Sequence, residues 1–351
     1  MTFLACVMSA AAFSIVPAAH AGPLRPELVD RSASWITHFD VERLSQSPVR
    51  EAIETGTHPA LRRAARSIAR TQRDLGGLDP FALFLDVTMY GTGTSGERVA
   101  AIFNTTALGD ELNELVQEKE AYARLTVREI ELVTWRDDGR TWYAHQLTTA
   151  ESARQIIVAE EPTIVLEALA VTRGERPSMQ GEFASRFPSV PGNGSIFFIA
   201  GEKPEEFPHD ESTSAIVKQA DRLTCDVGEH NGALFAEMTI VAKGEQAAKD
   251  IAGTVAGMVL VAQTSAKRTA HHRPWLTLLD RVNLKTEGLR VECSFRAGVG
   301  PVLAAMEEAH RLAQAESEGR KSDTPNPTND GSSTGGSTEL INADRREGGI
   351  Q

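Results

Sequence analysis

The chain has 351 residues, with 36 Lys and Arg against 48 Asp and Glu, for a formal net charge of −12. That length allows two domains or one large one, and 41% hydrophobic with 24% charged residues is the composition of a globular protein with a sizeable core. The acidic balance argues against nucleic acid and anionic membrane surfaces as partners, because both are held through clustered Lys and Arg.

The N-terminus comes first. Phe3 to Val16 is an uncharged, mostly apolar run, followed by Pro17 and the small-x-small pattern Ala19-His20-Ala21. This predicts a secretory signal peptide over residues 1–21, with Gly22 opening the mature chain, and hence a periplasmic or secreted protein. The segment before the run lacks Lys and Arg, so translation is expected to start a few residues upstream. Cys6 is not read as a lipoprotein cysteine, since Phe3 stands where an aliphatic residue is required. No later stretch has 18 consecutive apolar residues, which predicts no transmembrane segment in the mature chain.

Residues 22–174 are expected to form a first α+β unit. It opens with a strand over Ser34–Val41, then a short helix at Pro48 and an amphipathic helix with Leu61, Ala65, Ile68 and Leu75 on one face. Strands follow at Phe81–Tyr90 and Arg98–Thr105, then a helix with Leu108, Leu112 and Leu115. Arg124–Arg136, Thr141–Leu147 and Gln155–Ala159 read as strands, and Pro162–Thr172 as a helix. Residues 175–194, with Pro177, Pro188 and Pro191, read as the link between halves.

The second unit, residues 195–315, repeats the layout: a strand over Ser195–Gly201, a helix over Thr213–Ala220, strands at Arg222–Val227 and Ala233–Ala242, and a helix over Glu245–Gln263. Strands at Arg281–Lys285 and Gly288–Arg296 and a helix over Val302–Ala313 complete it. The recurrence of strand, helix, hairpin, helix predicts an internal duplication: two α+β units in tandem, each an antiparallel sheet backed by helices. Residues 316–351 are rich in Gly, Ser, Thr, Asn and Pro and hold only Leu340, Ile341 and Ile350 as large apolar residues, so this tail is expected to be disordered.

Cleavage leaves Cys225 and Cys293, each on the apolar side of an alternating strand. In an oxidising compartment they allow one disulfide, worth roughly 4 kcal/mol for a loop of about 68 residues, or else two buried free thiols. A bridge requires the two strands to be direct neighbours.

Several motifs carry candidate chemistry, and each has a simpler reading. Gly91-Thr-Gly93-Thr-Ser-Gly96 matches the dinucleotide fingerprint, but β-like sequence rather than a helix follows it, so it reads as a hairpin turn. His271-His272 lies among Lys267, Arg268 and Arg273, which would repel a cation. His209-Asp210-Glu211 has ligand chemistry, yet Asp210 or Ser212 is more simply a cap for the helix that follows. Asp137-Asp138-Gly139 reads as a hairpin turn, and Arg62, Arg63 and Arg66 as a solvated helix face. The chain has no Gly-x-Ser-x-Gly elbow; Gly192-Asn-Gly-Ser195 misses it. Hence no catalytic, cofactor-binding or metal-ligating residue is assigned, and no cofactor is expected.

The segments Ser34–Val49 (SWITHFDVERLSQSPV) and Gln155–Gly174 (QIIVAEEPTIVLEALAVTRG) resemble strand-then-helix blocks of a loose group of exported bacterial proteins of unknown function, of the kind abundant in planctomycete-like bacteria. The resemblance implies a tandem α+β fold and no reaction. The expected function is a non-catalytic binding or structural protein of the cell envelope, monomeric or weakly associating, with an envelope protein or polymer as partner. The rival is an extracytoplasmic hydrolase with a dispersed active site. A cleft between the halves would hold the ligand in either case.

Overall fold

A computed structural model describes residues 24–54, 61–93, 97–106, 108–150, 153–204 and 214–322. The signal segment 1–21, His209-Asp210-Glu211 and residues 323–351 of the tail lie outside the described residues.

The chain enters through a short 3₁₀ turn, Pro26–Leu28, into β1 (Trp35–Asp40). Asp40 ends the strand and starts α1 (Val41–Ser45), its carboxylate accepting from the Arg43 amide. Helices α2 (Pro48–Glu54) and α3 (Arg62–Asp74) follow, then α4 (Pro80–Leu83), which Asp79 caps and Pro80 opens. The hairpin β2 (Phe84–Thr92) and β3 (Arg98–Thr106) leads to α5 (Gly109–Gln117). Four strands come next: β4 (Glu120–Val127), β5 (Ile130–Asp137), β6 (Arg140–Ala150) and β7 (Ala153–Ala159). Then come α6 (Pro162–Thr172), α7 (Phe183–Arg186) and β8 (Ser195–Glu202). The last third holds α8 (Ser214–Gln219), β9 (Ala220–His230), β10 (Ala233–Ala242), α9 (Glu245–Arg268), a 3₁₀ turn Ala270–Trp275, α10 (Leu276–Leu279), β11 (Asn283–Glu287), β12 (Arg290–Gly298) and α11 (Val299–Ser322).

All twelve strands of the described residues form one antiparallel sheet in the order β11-β12-β10-β9-β8-β1-β2-β3-β7-β6-β5-β4. The class is α+β with antiparallel strands and helical backing, as the sequence indicates, but the two halves do not carry separate sheets. β1 pairs with β8, Trp35 opposite Gly201 through Phe39 opposite Phe197, and this ladder joins them. Outward from that seam, β8-β9-β10-β12-β11 repeats the order β1-β2-β3-β7-β6, and the first half adds β5 and β4 at its edge. The repeat is one of topology.

One face of the sheet packs Ile36, Tyr90, Ala100, Ile102, Ile157 and Phe198 against Val29, α6 residues Val165, Ala168 and Leu169, and Met179, Phe183 and Phe187. The segment linking the halves is therefore part of the core. On the other face, Val41, Leu44, Ile53, Ile68 and Phe81 of α1–α4 cover Val87, Met89, Ala101, Phe103 and Val158. Further along that face, Ala248, Ile251 and Val255 of α9 and Ile216 of α8 cover Leu223, Met238, Ile240 and Val291. Leu278 of α10 and Ala305 of α11 close over Phe295 and Ala297.

Three local differences from the sequence reading have physical causes. Arg124–Arg136 is two strands joined by a tight turn, with Arg128 at φ 49° and Glu129 at φ 67°. No Gly or Asn marks that turn, so the left-handed backbone is held against the residues' own preference. The start of Phe81–Tyr90 is the helix α4, because Asp79-Pro80 supplies both a cap and a first-turn residue. And α11 runs to Ser322, seven residues past Ala315.

Gly194 and Gly228 show why this connection is glycine-rich. Gly194 sits at φ +99°, its carbonyl accepts from the Glu229 amide at 2.9 Å, and a Cβ on Gly228 would lie 2.1 Å from that same carbonyl. Gly228→Ala is expected to destabilise the fold by about 3 kcal/mol or more through forced separation of the two backbones, whereas Gly181→Ala, which meets nothing, should stay within about 0.5 kcal/mol. Equal denaturant midpoints for the two variants would show that this close approach is not needed.

Candidate functional site

A row of buried polar residues crosses four adjacent strands. Asp40 of β1 stands opposite Asp86 of β2, Asp86 opposite Asn104 of β3, and Asn104 opposite Gln155 of β7, all on the face shared with Ile36 and Phe198. All four are buried, Gln155 to 1% exposure. The Asn104 amide donates to Asp86 Oδ1 at 2.6 Å, and the Gln155 amide donates to Asn104 Oδ1 at 3.1 Å. Gln155 Oε1 is buried without a hydrogen-bond partner. One row along, His38 Nδ1 lies 2.9 Å from the Thr88 hydroxyl.

Burial dominates the electrostatics here. It pushes the Asp86 carboxyl up to about 7, against the Asn104 amide and Arg25, which lower it, and together with Asp40 and Glu42, which raise it further. Burial likewise raises Asp40 to about 6, although the Arg43 amide and guanidinium favour its charged form.

Another buried carboxylate, Asp226 of β9, fastens the linking segment. It accepts from the Gly192 amide at 2.7 Å and from Ser195 Oγ at 2.6 Å, while Ser189 and Thr224 meet through their hydroxyls at 2.6 Å. Ser195, His38 and Asp226 are hydrolase residue types on one face, but their arrangement is not that of a triad. Ser195 donates to the aspartate itself, and Phe198 of β8 stands between His38 and Asp226 in the cross-strand row.

The opposite face of the same central strands differs. Along β1, burial alternates: Ile36, His38 and Asp40 are buried, whereas Trp35, Thr37 and Phe39 are half-buried. Register carries the half-buried set onto Phe197 and Ile199 of β8, then Cys225 and Val227 of β9, with Val227 38% exposed. This apolar band lies between the α1–α4 cluster, which takes in Ile196 of β8 and against which Trp35 and Phe39 pack, and the α8–α9 cluster, against which Leu223 of β9 packs. It is the surface the sequence reading missed. Its signal was a strand apolar on both faces, which alone does not say which face stays open.

Cys225 and Cys293 are free thiols rather than a bridge. Both stand opposite Met238, from the two sides of β10. Two strand spacings, about 9.5 Å in total, exceed the Cα separation of roughly 4.4–6.8 Å that a disulfide allows. Burial raises both thiols, so neither is an activated nucleophile.

The glycine motif spans antiparallel β2 and β3, with Gly91 opposite Val99, and no helix follows it; residues 94–96 lie outside the described residues. His271 and His272 meet edge to face at 4.2 Å in the 3₁₀ turn before α10. Asp138 at φ 51° and Gly139 at φ 76° make the expected hairpin turn. Among the described residues no group of three His, Cys, Asp or Glu could hold a metal ion, and no helix is long and apolar enough to cross a membrane.

No family model matches the chain, and no curated protein matches it. Among solved structures, crystal form III of the Treponema protein TP0453 matches with a TM-score of 0.45 at 9% identity, covering 84% of this chain and 99% of that one. Crystal form I of the same protein matches with a TM-score of 0.39 at 10% identity, covering 82% and 98%. These likenesses are distant and lend nothing to a planctomycete-like grouping.

Two measurements check the site. Thiol titration of denatured, unreduced protein lacking residues 1–21 is expected to find two free thiols; none would mean that β9 and β12 are neighbours after all. The raised carboxylates set the sign of the pH response. Between about 4 and about 7 the folded protein holds protons that the unfolded chain has released, so stability falls as pH rises through that window and then levels off. Each pH unit is worth up to about 1.4 kcal/mol per such group. Denaturation should show greater stability at pH 5 than at pH 8, and Asp86→Asn should flatten the difference; greater stability at pH 8 in the parent chain would refute the assignment.

Proposed function

We propose that this protein is an exported, non-catalytic binding component of the cell envelope, acting in the periplasm or outside the cell. The observation that carries the reading is the half-buried apolar band of Trp35, Thr37, Phe39, Phe197, Ile199, Cys225 and Val227 at the junction of the two halves. Apolar side chains held half-open on a rigid sheet suit adhesion to an envelope protein or polymer, because burying them releases water without any catalytic group. The polar interior supports the same reading. Asp86, Asn104, Asp226 and the Gln155 N–H spend hydrogen bonds within the fold, and the Ser195 hydroxyl is held by a carboxylate instead of an imidazole. Export rests on the N-terminal sequence pattern.

Ile199→Glu tests the band, since it places a charge in its middle without touching the ladder on the opposite face. The variant is expected to keep its melting temperature within a few degrees, to bind an apolar fluorescent probe such as anilinonaphthalene sulfonate at least tenfold more weakly, and to lose co-sedimentation with envelope fractions. Unchanged binding would remove the band from consideration. Turnover of ester, peptide or glycoside substrates by the purified parent chain would replace this reading with the hydrolase.

A further inference from the structure

The helix α9, Glu245–Arg268, is 24 residues long, or about 36 Å at 1.5 Å per residue. Its inner side is settled: Ala248, Ile251, Val255 and Ala266 are buried. Its outer side is not polar. From Ile251 to Ala266 the helix carries no charge, and Gly253, Ala256, Gly257, Leu260, Val261 and Thr264 are exposed around one outward stripe. Leu260 is 63% and Val261 69% exposed, the two largest values among the exposed large hydrophobics of the described residues, with Met258 at 47% on the flank.

The two glycines are unexplained by the protomer. Glycine is disfavoured in a helix interior relative to alanine, and a Cβ added at Gly253 or Gly257 would meet nothing within 4 Å. Neither therefore makes room for a neighbour among the described residues. A bare stripe bordered by Leu260 and Val261 makes room for something that approaches the helix closely from outside.

The charges at the helix ends choose the occupant. Glu245 and Asp250 lie in the first two turns, Lys267 and Arg268 in the last. We propose that α9 is an isologous dimer interface on which a second copy of this chain packs its own α9 antiparallel. Centred on Gly257, that arrangement sets Gly253 against Val261 of the second copy, small against large, at both ends of the contact. It brings Asp250 of one copy toward Arg268 of the other, both on the Gly257 side of the helix at 3.6 residues per turn. A parallel pair would instead oppose Lys267 and Arg268 to themselves. The contact is a single helix pair and belongs with small, reversible interfaces.

Sedimentation velocity on the full mature chain, from about 1 to about 500 µM, is expected to show a reversible monomer–dimer equilibrium. Leu260→Glu should weaken it at least tenfold with an unchanged circular dichroism spectrum. Gly257→Ala separates fold from interface: it should leave the melting temperature equal or higher while weakening the dimer. Asp250→Arg should weaken association, and adding Arg268→Asp should restore it. A Gly257→Cys variant, its cysteine at the two-fold, should form a cross-linked dimer under oxidation that an Asp250→Cys variant does not. A chain that stays monomeric across the range, or a dimer indifferent to Leu260→Glu, overturns the proposal. So does a monomer that binds phosphatidylcholine vesicles through Leu260 and Val261, since a lipid surface would then cover the face.

Discussion

The β1–β8 ladder is the constraint on which the rest of the structure depends. It pairs the opening strands of the two halves and so places both at the centre of a twelve-stranded sheet. A central strand needs side chains suited to cover on both faces, and SWITHFDV and SIFFIAG supply them. Were β1 and β8 edge strands of separate sheets, each half would expose a long apolar edge with unpaired backbone groups, a template for aggregation. Joining the halves removes both edges at once and leaves β4 and β11 at the rims, where exposed charged residues such as Arg124 and Glu287 are tolerated.

Centrality also explains why the polar ladder is buried. Asp40, Asp86, Asn104 and Gln155 sit at one level of β1, β2, β3 and β7, and any polar residue at that level on that face is enclosed by its neighbours. Burying a carboxylate is costly unless it is hydrogen-bonded. The response here has two parts: Asn104 donates to Asp86, and burial raises both acids so that a proton removes the charge near neutrality. A helix cap accounts for Asp40 as well, since its carboxylate starts α1. These groups serve register and turn geometry. A one-residue slip of β2 against β3 would separate Asp86 from Asn104 and put Asp86 on the opposite, apolar side.

Much of the local structure was readable in the sequence, and most of the long-range structure was not. Asp138-Gly139 and Asn231-Gly232 announced their turns through residues that tolerate positive φ, and both turns form with φ between 51° and 76°. Arg128-Glu129 makes the same kind of turn without those residues, so the hairpin was hidden inside one apparent strand. The alternation around Cys225 and Cys293 correctly put both on one face. It could not reveal that β12 docks on the far side of β10, because strand order follows from how the crossover through α9 and α10 packs. Asp86 and Gln155 were visible only as lone polar residues in apolar strands, a pattern with no partner until pairing is known.

The open band over Trp35, Ile199 and Val227 follows from the repeated topology itself. In the first half α1–α4 follow the opening strand and come to rest on β2 and β3; in the second, α8 follows the opening strand and α9 follows the hairpin, and together they cover β9, β10 and β12. Short connections hold each helical layer over its own half. The two opening strands meet at the seam, where neither layer fully reaches, while the other face receives continuous cover from α6 and the linking segment. Joining two such halves through their first strands thus produces one sealed face and one half-open apolar face at the same place. The band requires no residue chosen for catalysis, and the fold keeps it rigid because the strands beneath it are locked on their other side by Ile36, Phe198 and the ladder.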